Sequence, residues 1–188
     1  MIRHKIYTPF LAIGLAVMMF VTACNTSWIN TALADLPVII QIATNIAAIV
    51  GTAQGQANNT QVTAEIQAVA ATAKTGLLAI QALVNSYNSA PAAQKTTILG
   101  QIDAGLTAVQ ANLQQILTAA RILNPQLQAT ITGIVTLAEG TLLAIQTLVP
   151  APKVGAAPNE VQPPSPAALK ASYNAIVFQG GYGQFSIQ

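Results

Sequence analysis

Charge is what this chain of 188 residues has least of: 6% of its positions are charged, against about 25% in an average soluble domain. Aromatic residues are also few, at 5%, and there is one cysteine and one histidine. Each shortage excludes something. A single cysteine leaves no partner for an intrachain disulfide, so the core must hold by packing alone. Lys74, Lys95, Arg121, Lys153 and Lys170 are scattered singly, and a surface that neutralises a phosphate backbone needs them clustered. Nucleic acid is therefore not an expected partner. Asp35, Glu65, Asp103, Glu139 and Glu160 are equally dispersed, with no two at helical i, i+3 or i+4 spacing, so no carboxylate dyad is readable. A di-iron bundle would want Glu-x-x-His motifs, which are missing. Gly76, Gly100, Gly105, Gly133 and Gly140 lie inside apolar helical patterns rather than in a phosphate-binding loop.

What the chain does have is apolar surface, 53% of residues, which argues against disorder for most of its length. The beginning is organised as a leader. Arg3, His4 and Lys5 form a basic head, an apolar run follows from Phe10 to Val21, and small residues lead to Cys24. A run of about 12 apolar residues suits a secretory signal, whereas a transmembrane helix needs about 20.

The junction Val21-Thr22-Ala23-Cys24 resembles the lipobox of bacterial lipoproteins: an aliphatic residue, two small ones, then cysteine. The resemblance implies cleavage between Ala23 and Cys24, a diacylglycerol on the Cys24 sulfur and an acyl chain, typically palmitate, on the new amino terminus. Two or three chains hold a protein stably at a membrane where one holds it only reversibly. In Gram-negative members of that class an Asp after the cysteine favours inner-membrane retention. Asn25 stands here instead, which implies the outer membrane where there is one. A plain signal peptide or an uncleaved anchor is the reading without the resemblance. With the leader removed, His4 goes too, and with it any imidazole for a catalytic triad or a Cys/His zinc site.

Past the leader the punctuation predicts helices. Asp35-Leu36-Pro37 reads as a cap and first turn, followed by Ile39, Ile42, Ile46 and Ile49 at helical spacing up to Gly51. A second stripe runs Val62, Ile66, Val69, Ala73, Leu77, Ile80, Val84 and Tyr87. Pro91 opens a third, with Leu99, Ile102, Leu106, Val109, Leu113, Ile116 and Ala120. Asn124-Pro125 caps a fourth, with Leu127, Ile131, Ile134, Ala138, Leu142, Ile145 and Leu148. Short connections make the four double back, which predicts an all-α fold, an antiparallel up-down four-helix bundle. Leu77-Leu78-Ala79-Ile80-Gln81-Ala82-Leu83-Val84 recurs as Leu142-Leu143-Ala144-Ile145-Gln146-Thr147-Leu148-Val149, so the bundle reads as two duplicated helical hairpins. Glycines and alanines on these helices suit close packing; a groove for an apolar ligand is the alternative.

The expected organisation is a signal peptide at 1–23, a lipidated tether at 24–35, the bundle at 36–149, a Pro-rich linker at 150–166, and a short helix with a flexible aromatic tail at 167–188. Trp28, Ile29 and Leu33 belong either to that tether or to a short helix broken at Pro37. Leu169, Tyr173 and Ile176 share one side of the last helix; the Gly-Tyr-rich tail beyond it is a contact segment or a disordered terminus.

No catalytic residue, cofactor or metal site is expected. The chain reads as a non-enzymatic, lipid-anchored cell-envelope protein, a structural, binding or interaction module held to the membrane through Cys24, with a protein partner in the envelope conceivable. The alternatives are a membrane-active helical protein, acting as a pore, lysis or exclusion factor, and a carrier of an apolar ligand. For the former, 131–149 is almost long enough to span a bilayer, with Glu139 as its single charge.

Overall fold

The structure, a computed structural model, describes residues 27–53, 60–121, 123–150 and 162–188. Ala23 and Cys24 lie outside these, as does most of the Pro-rich linker. Among the described residues there are five α-helices and no strand: α1 Ser27–Thr52, α2 Thr60–Tyr87, α3 Ala92–Ala120, α4 Pro125–Leu148 and α5 Pro166–Gln179, followed by a 3-10 turn at Gly183–Phe185. The first four pack against one another around a single apolar core, and α5 lies against α4 and α1.

The largest departure from expectation is at the start. From Ser27 onward the expected tether is helix, and Asp35 is a residue of its interior rather than its cap. The reason is apolar area. Trp28, Ile29, Ala32 and Leu36 continue the Ile39, Ile42, Ile46, Ile49 stripe backward, and all are buried. A proline inside a helix costs about 3 kcal/mol through the hydrogen bond it cannot donate. Burying a large apolar side chain contributes about 1.5 to 3 kcal/mol, so Trp28 and Ile29 together offset Pro37.

Later boundaries follow the local chemistry. Asn124 caps α4 by accepting from the Leu127 amide at 2.9 Å, with Pro125 in the first turn. Ser165 does the same for α5, accepting from the Ala168 amide at 3.3 Å.

The leucines, isoleucines and valines of the repeated eight-residue segments keep their place relative to the core. Leu77, Ile80 and Val84 are buried, as are Leu142, Ile145 and Val149, while Leu78 and Leu143 are exposed by 47% and 55%. Ile39, Ile42, Ile46 and Ile49 are buried like Leu106, Val109, Leu113 and Ile116. The pattern differs at Ala79, which is exposed, and Ala144, which is buried. On α4 the buried stripe is wider, taking in Thr130, Val135, Thr141 and Ala144. Two glycines set the spacing between α2 and α3: a Cβ on Gly76 would stand 2.9 Å from Val109 Cγ2, and one on Gly105 2.9 Å from Ile80 Cγ1.

The tail is ordered against the bundle rather than flexible. α5 buries Leu169, Tyr173 and Val177, with Ile176 only half-buried beside Gly133. The helix ends on Gly181 at φ +80°, where the Tyr182 amide reaches back to the Val177 carbonyl at 2.7 Å, and this left-handed turn redirects the chain. Asn174 then holds Ile187 from both sides, donating to its carbonyl at 2.9 Å and accepting from its amide at 2.8 Å. Asn45 of α1 donates to the Tyr173 hydroxyl and to the Phe185 carbonyl, both at 2.8 Å. These bonds fix the end of the chain to the first helix.

Replacing Ile116 or Ile145 by Ala should cost about 2 to 5 kcal/mol in urea unfolding, because both are buried and a cavity would remain. The same change at Leu143, which points outward, should stay within about 0.5 kcal/mol.

Candidate functional site

Four polar or charged residues are buried among those described: Asp35, Thr63, Thr130 and Thr141. The three threonines satisfy their hydroxyls locally, donating to the carbonyls of Thr60, Gln126 and Leu137 at 2.8 to 2.9 Å. Asp35 does not: it is 0% exposed, and neither carboxylate oxygen has a hydrogen-bond partner. The Thr31 hydroxyl, one helical turn before it, is committed to the Ser27 carbonyl at 3.2 Å. A buried carboxylate without a donor is among the more costly groups a fold can carry. Burial disfavours its charged form and pushes the Asp35 pKa up from 3.8 to about 6.

Asp35 borders a cavity of about 650 Å³. One wall is the first turns of α1, with Ser27, Asn30, Thr31 and Ala34; another is Leu148 at the end of α4. The segment 162–166 leading into α5, with Pro163, Pro164 and Pro166, lines the third side. Among the described residues the lining joins Asp35, whose carboxylate oxygens are themselves buried, with several neutral polar residues and apolar ones, and holds no cationic side chain. At the same end of α1, the Trp28 indole nitrogen is also buried without a partner. Its ring meets Tyr87 edge-on at 5.4 Å, and the Lys95 ammonium stands 5.0 Å from the Tyr87 ring centre.

Other charged groups are engaged in holding helices together. Gln146 of α4 donates to Asp103 of α3 at 2.7 Å and accepts from Gln110 at 3.1 Å. Glu139 accepts from Gln114 at 2.7 Å; burial raises its pKa and that hydrogen bond opposes the rise. Both carboxylates therefore brace the α3 and α4 contact. Among the described residues no three His, Cys, Asp or Glu side chains come together as metal ligands.

The site residues that the sequence points to, Ala23 and Cys24, lie outside the described residues. The residue it misses is Asp35. Its signal is present but masked by Pro37: Asp35 is the only charged residue in Ser27–Thr52, and it falls on the apolar stripe once the helix is extended back to Trp28.

Comparison of the chain with protein-family models, curated proteins and solved structures finds no match in any of the three.

The raised Asp35 pKa fixes the sign of a stability change. Below pH 3.8 the group is protonated whether the chain is folded or not. As pH rises from 3.8 to about 6, the unfolded chain loses its proton first, so the folded state loses stability. The loss amounts to about 3 kcal/mol by pH 7. Asp35→Asn should remove this component, so the difference in unfolding free energy between wild type and variant should change by about that amount between pH 4 and 7. A difference constant across that range would contradict the assignment.

Proposed function

We propose that the protein is a lipid-anchored component of the cell envelope, a non-enzymatic binding or interaction module carried on an all-α bundle. The observation that carries this reading is the leader ending in Val21-Thr22-Ala23-Cys24, where basic head, apolar run, small residues and the chain's single cysteine fall in lipobox order. Cleavage before Cys24 leaves the acylated residue three positions ahead of α1. The bundle is then held at the membrane by the end of α1 that carries Trp28 and Asp35. Asn25 after the cysteine favours the outer membrane in a Gram-negative cell, on the periplasmic or surface face.

Within this reading the bundle runs up-down-up-down. Supporting that topology, Trp28 meets Tyr87 while Gln67 donates to the Ala47 carbonyl, so the start of α1 lies by the end of α2 and the reverse. Gly76 faces Val109 while Gly105 faces Ile80, and Gln110 joins Gln146 while Gln114 joins Glu139. The matched burial of the repeated segments supports an origin by duplication of a helical hairpin.

A second reading, a membrane-active protein, draws on one observation: Ser27–Thr52, Thr60–Tyr87 and Pro125–Leu148 are long and apolar enough to cross a membrane, with mean hydropathies of 1.8, 1.3 and 1.4. Against it stands the direction of the apolar stripes, whose Ile and Leu side chains are spent on one another in the core. Most of the outward positions of α2 and α4 carry Ala, Gln or Thr, with Leu78 and Leu143 the large apolar exceptions.

Cys24→Ser should abolish acylation and leave an unprocessed precursor, since the chain has no other thiol to take the lipid. Mass spectrometry of the mature amino terminus reads this directly. An unmodified Cys24 in the native protein, or cleavage at another position, would overturn the proposal.

A further inference from the structure

α1 carries two helix starts in one sequence. Docked, it begins at Ser27 and buries Trp28, Ile29, Ala32 and Leu36 in the core. The other start is written at Asp35-Leu36-Pro37. At the head of a helix that order is favourable: aspartate is a strong N-cap, proline suits the first turn, and a negative charge meets the positive end of the helix dipole. Inside the docked helix the same residues are out of place. Pro37 withholds the amide that would bond the Leu33 carbonyl, and Asp35 is fully buried with neither carboxylate oxygen partnered. The Trp28 indole nitrogen, in the same segment, is also buried without a partner.

The two parts of α1 are held differently. Beyond Pro37, Asn45 donates to the Tyr173 hydroxyl and the Phe185 carbonyl at 2.8 Å, and Gln67 of α2 donates to the Ala47 carbonyl at 3.2 Å. Before Pro37 the segment is seated by apolar packing: Trp28 meets the Tyr87 ring at 5.4 Å, and Ile29 and Ala32 join the core. Release of residues 27–34 would leave Asp35 at the head of the remaining helix. There its carboxylate reaches water and the Val38 amide three residues on, the donor that an N-cap takes.

We propose that residues 27–34 form a switch segment hinged at Pro37: protonated Asp35 keeps it docked, and ionised Asp35 releases it and caps the shortened helix. Burial is the cause that raises the Asp35 pKa from 3.8 to about 6 in the docked state. The open state therefore gives up its proton first as pH rises, and docking should weaken about 50-fold between pH 4 and 7. The titratable groups of the helices packed on α1 are Glu65, Lys74 and Tyr87 of α2, Glu139 of α4, and Lys170 and Tyr173 of α5, with Lys95 of α3 beside the Tyr87 ring. None of them bonds Asp35. On the anchoring reading, release adds residues 27–34 to the chain between lipid and bundle; the hinge itself does not rest on that reading.

Hydrogen exchange of the full chain in phosphatidylcholine vesicles, read by mass spectrometry between pH 4 and 7 and corrected for intrinsic rates, tests the switch. The amides of residues 31–35 should be protected about 10-fold less, or weaker still, than those of 106–116 in α3, and should lose about 50-fold in protection across the range. Asp35→Asn, which can cap a helix but cannot ionise, should hold their protection constant with pH. Pro37→Ala restores the missing amide and removes the favoured first-turn residue, so it should raise their protection about 10-fold or more. Opening of 31–35 only together with 106–116, a pH dependence that persists in Asp35→Asn, or protection unchanged by Pro37→Ala would each overturn the proposal. Finding Cys24 unacylated would overturn the anchor and leave the exchange result standing.

Discussion

The structure depends on the interlocking of branched aliphatic side chains along the helix seams. Ile39, Ile42, Ile46 and Ile49 of α1, with Ile66, Leu77 and Ile80 of α2, Leu106, Val109 and Ile116 of α3, and Ile131, Ile134 and Ile145 of α4, form one continuous buried set. With one cysteine in the chain and few charges, neither disulfides nor ion-pair networks relieve that set of its task. Close approach replaces them. At Gly76 and Gly105 the missing side chains let α2 and α3 come together until Val109 and Ile80 reach the opposite backbone. Packing at this density is sensitive to single methylene groups, which makes the seam the first place a substitution is felt.

Among the described residues Asp35 is the only charged side chain buried with that set. It occupies a seam position of α1, among residues whose burial holds the helix together despite Pro37, and it brings a charge with no donor to meet it. Departures of this kind concentrate at functional positions, where local stability is given up for chemistry. The cavity beside it lies where three parts of the chain converge, the start of α1, the end of α4 and the approach to α5. The docked tail matters here: Asn45, Tyr173 and Phe185 tie α5 to α1, and α5 in turn positions the proline segment that walls the cavity.

Much of this was legible in the sequence, for definite reasons. The spacing of Ile, Leu and Val identified the four long helices, and Asn124-Pro125 marked a true cap. What escaped reading was tertiary. Pro37 carries a local signal strong enough to suggest a helix start at Asp35, and only the buried area of Trp28 and Ile29 overrides it. The tail, rich in glycine and aromatic residues, resembles a loose terminus until Asn174 and Asn45 are seen to bind its backbone from residues far away in sequence. Asp35 illustrates the division: its neighbours in sequence suggest a helix cap, and only the packing around it places it in the interior of α1.

In the arrangement proposed above, the seams face one another in water and a lipid on Cys24 alone meets the membrane. Cysteine labelling in opened native membranes tests it, because a lipidated Cys24 leaves no background thiol. In separate variants, Leu78→Cys and Leu143→Cys should react rapidly with a membrane-impermeant maleimide, and Leu77→Cys and Leu142→Cys, one position away and fully buried, should not. Protection of Leu78→Cys and Leu143→Cys, as expected for helices turned toward lipid, would contradict the account.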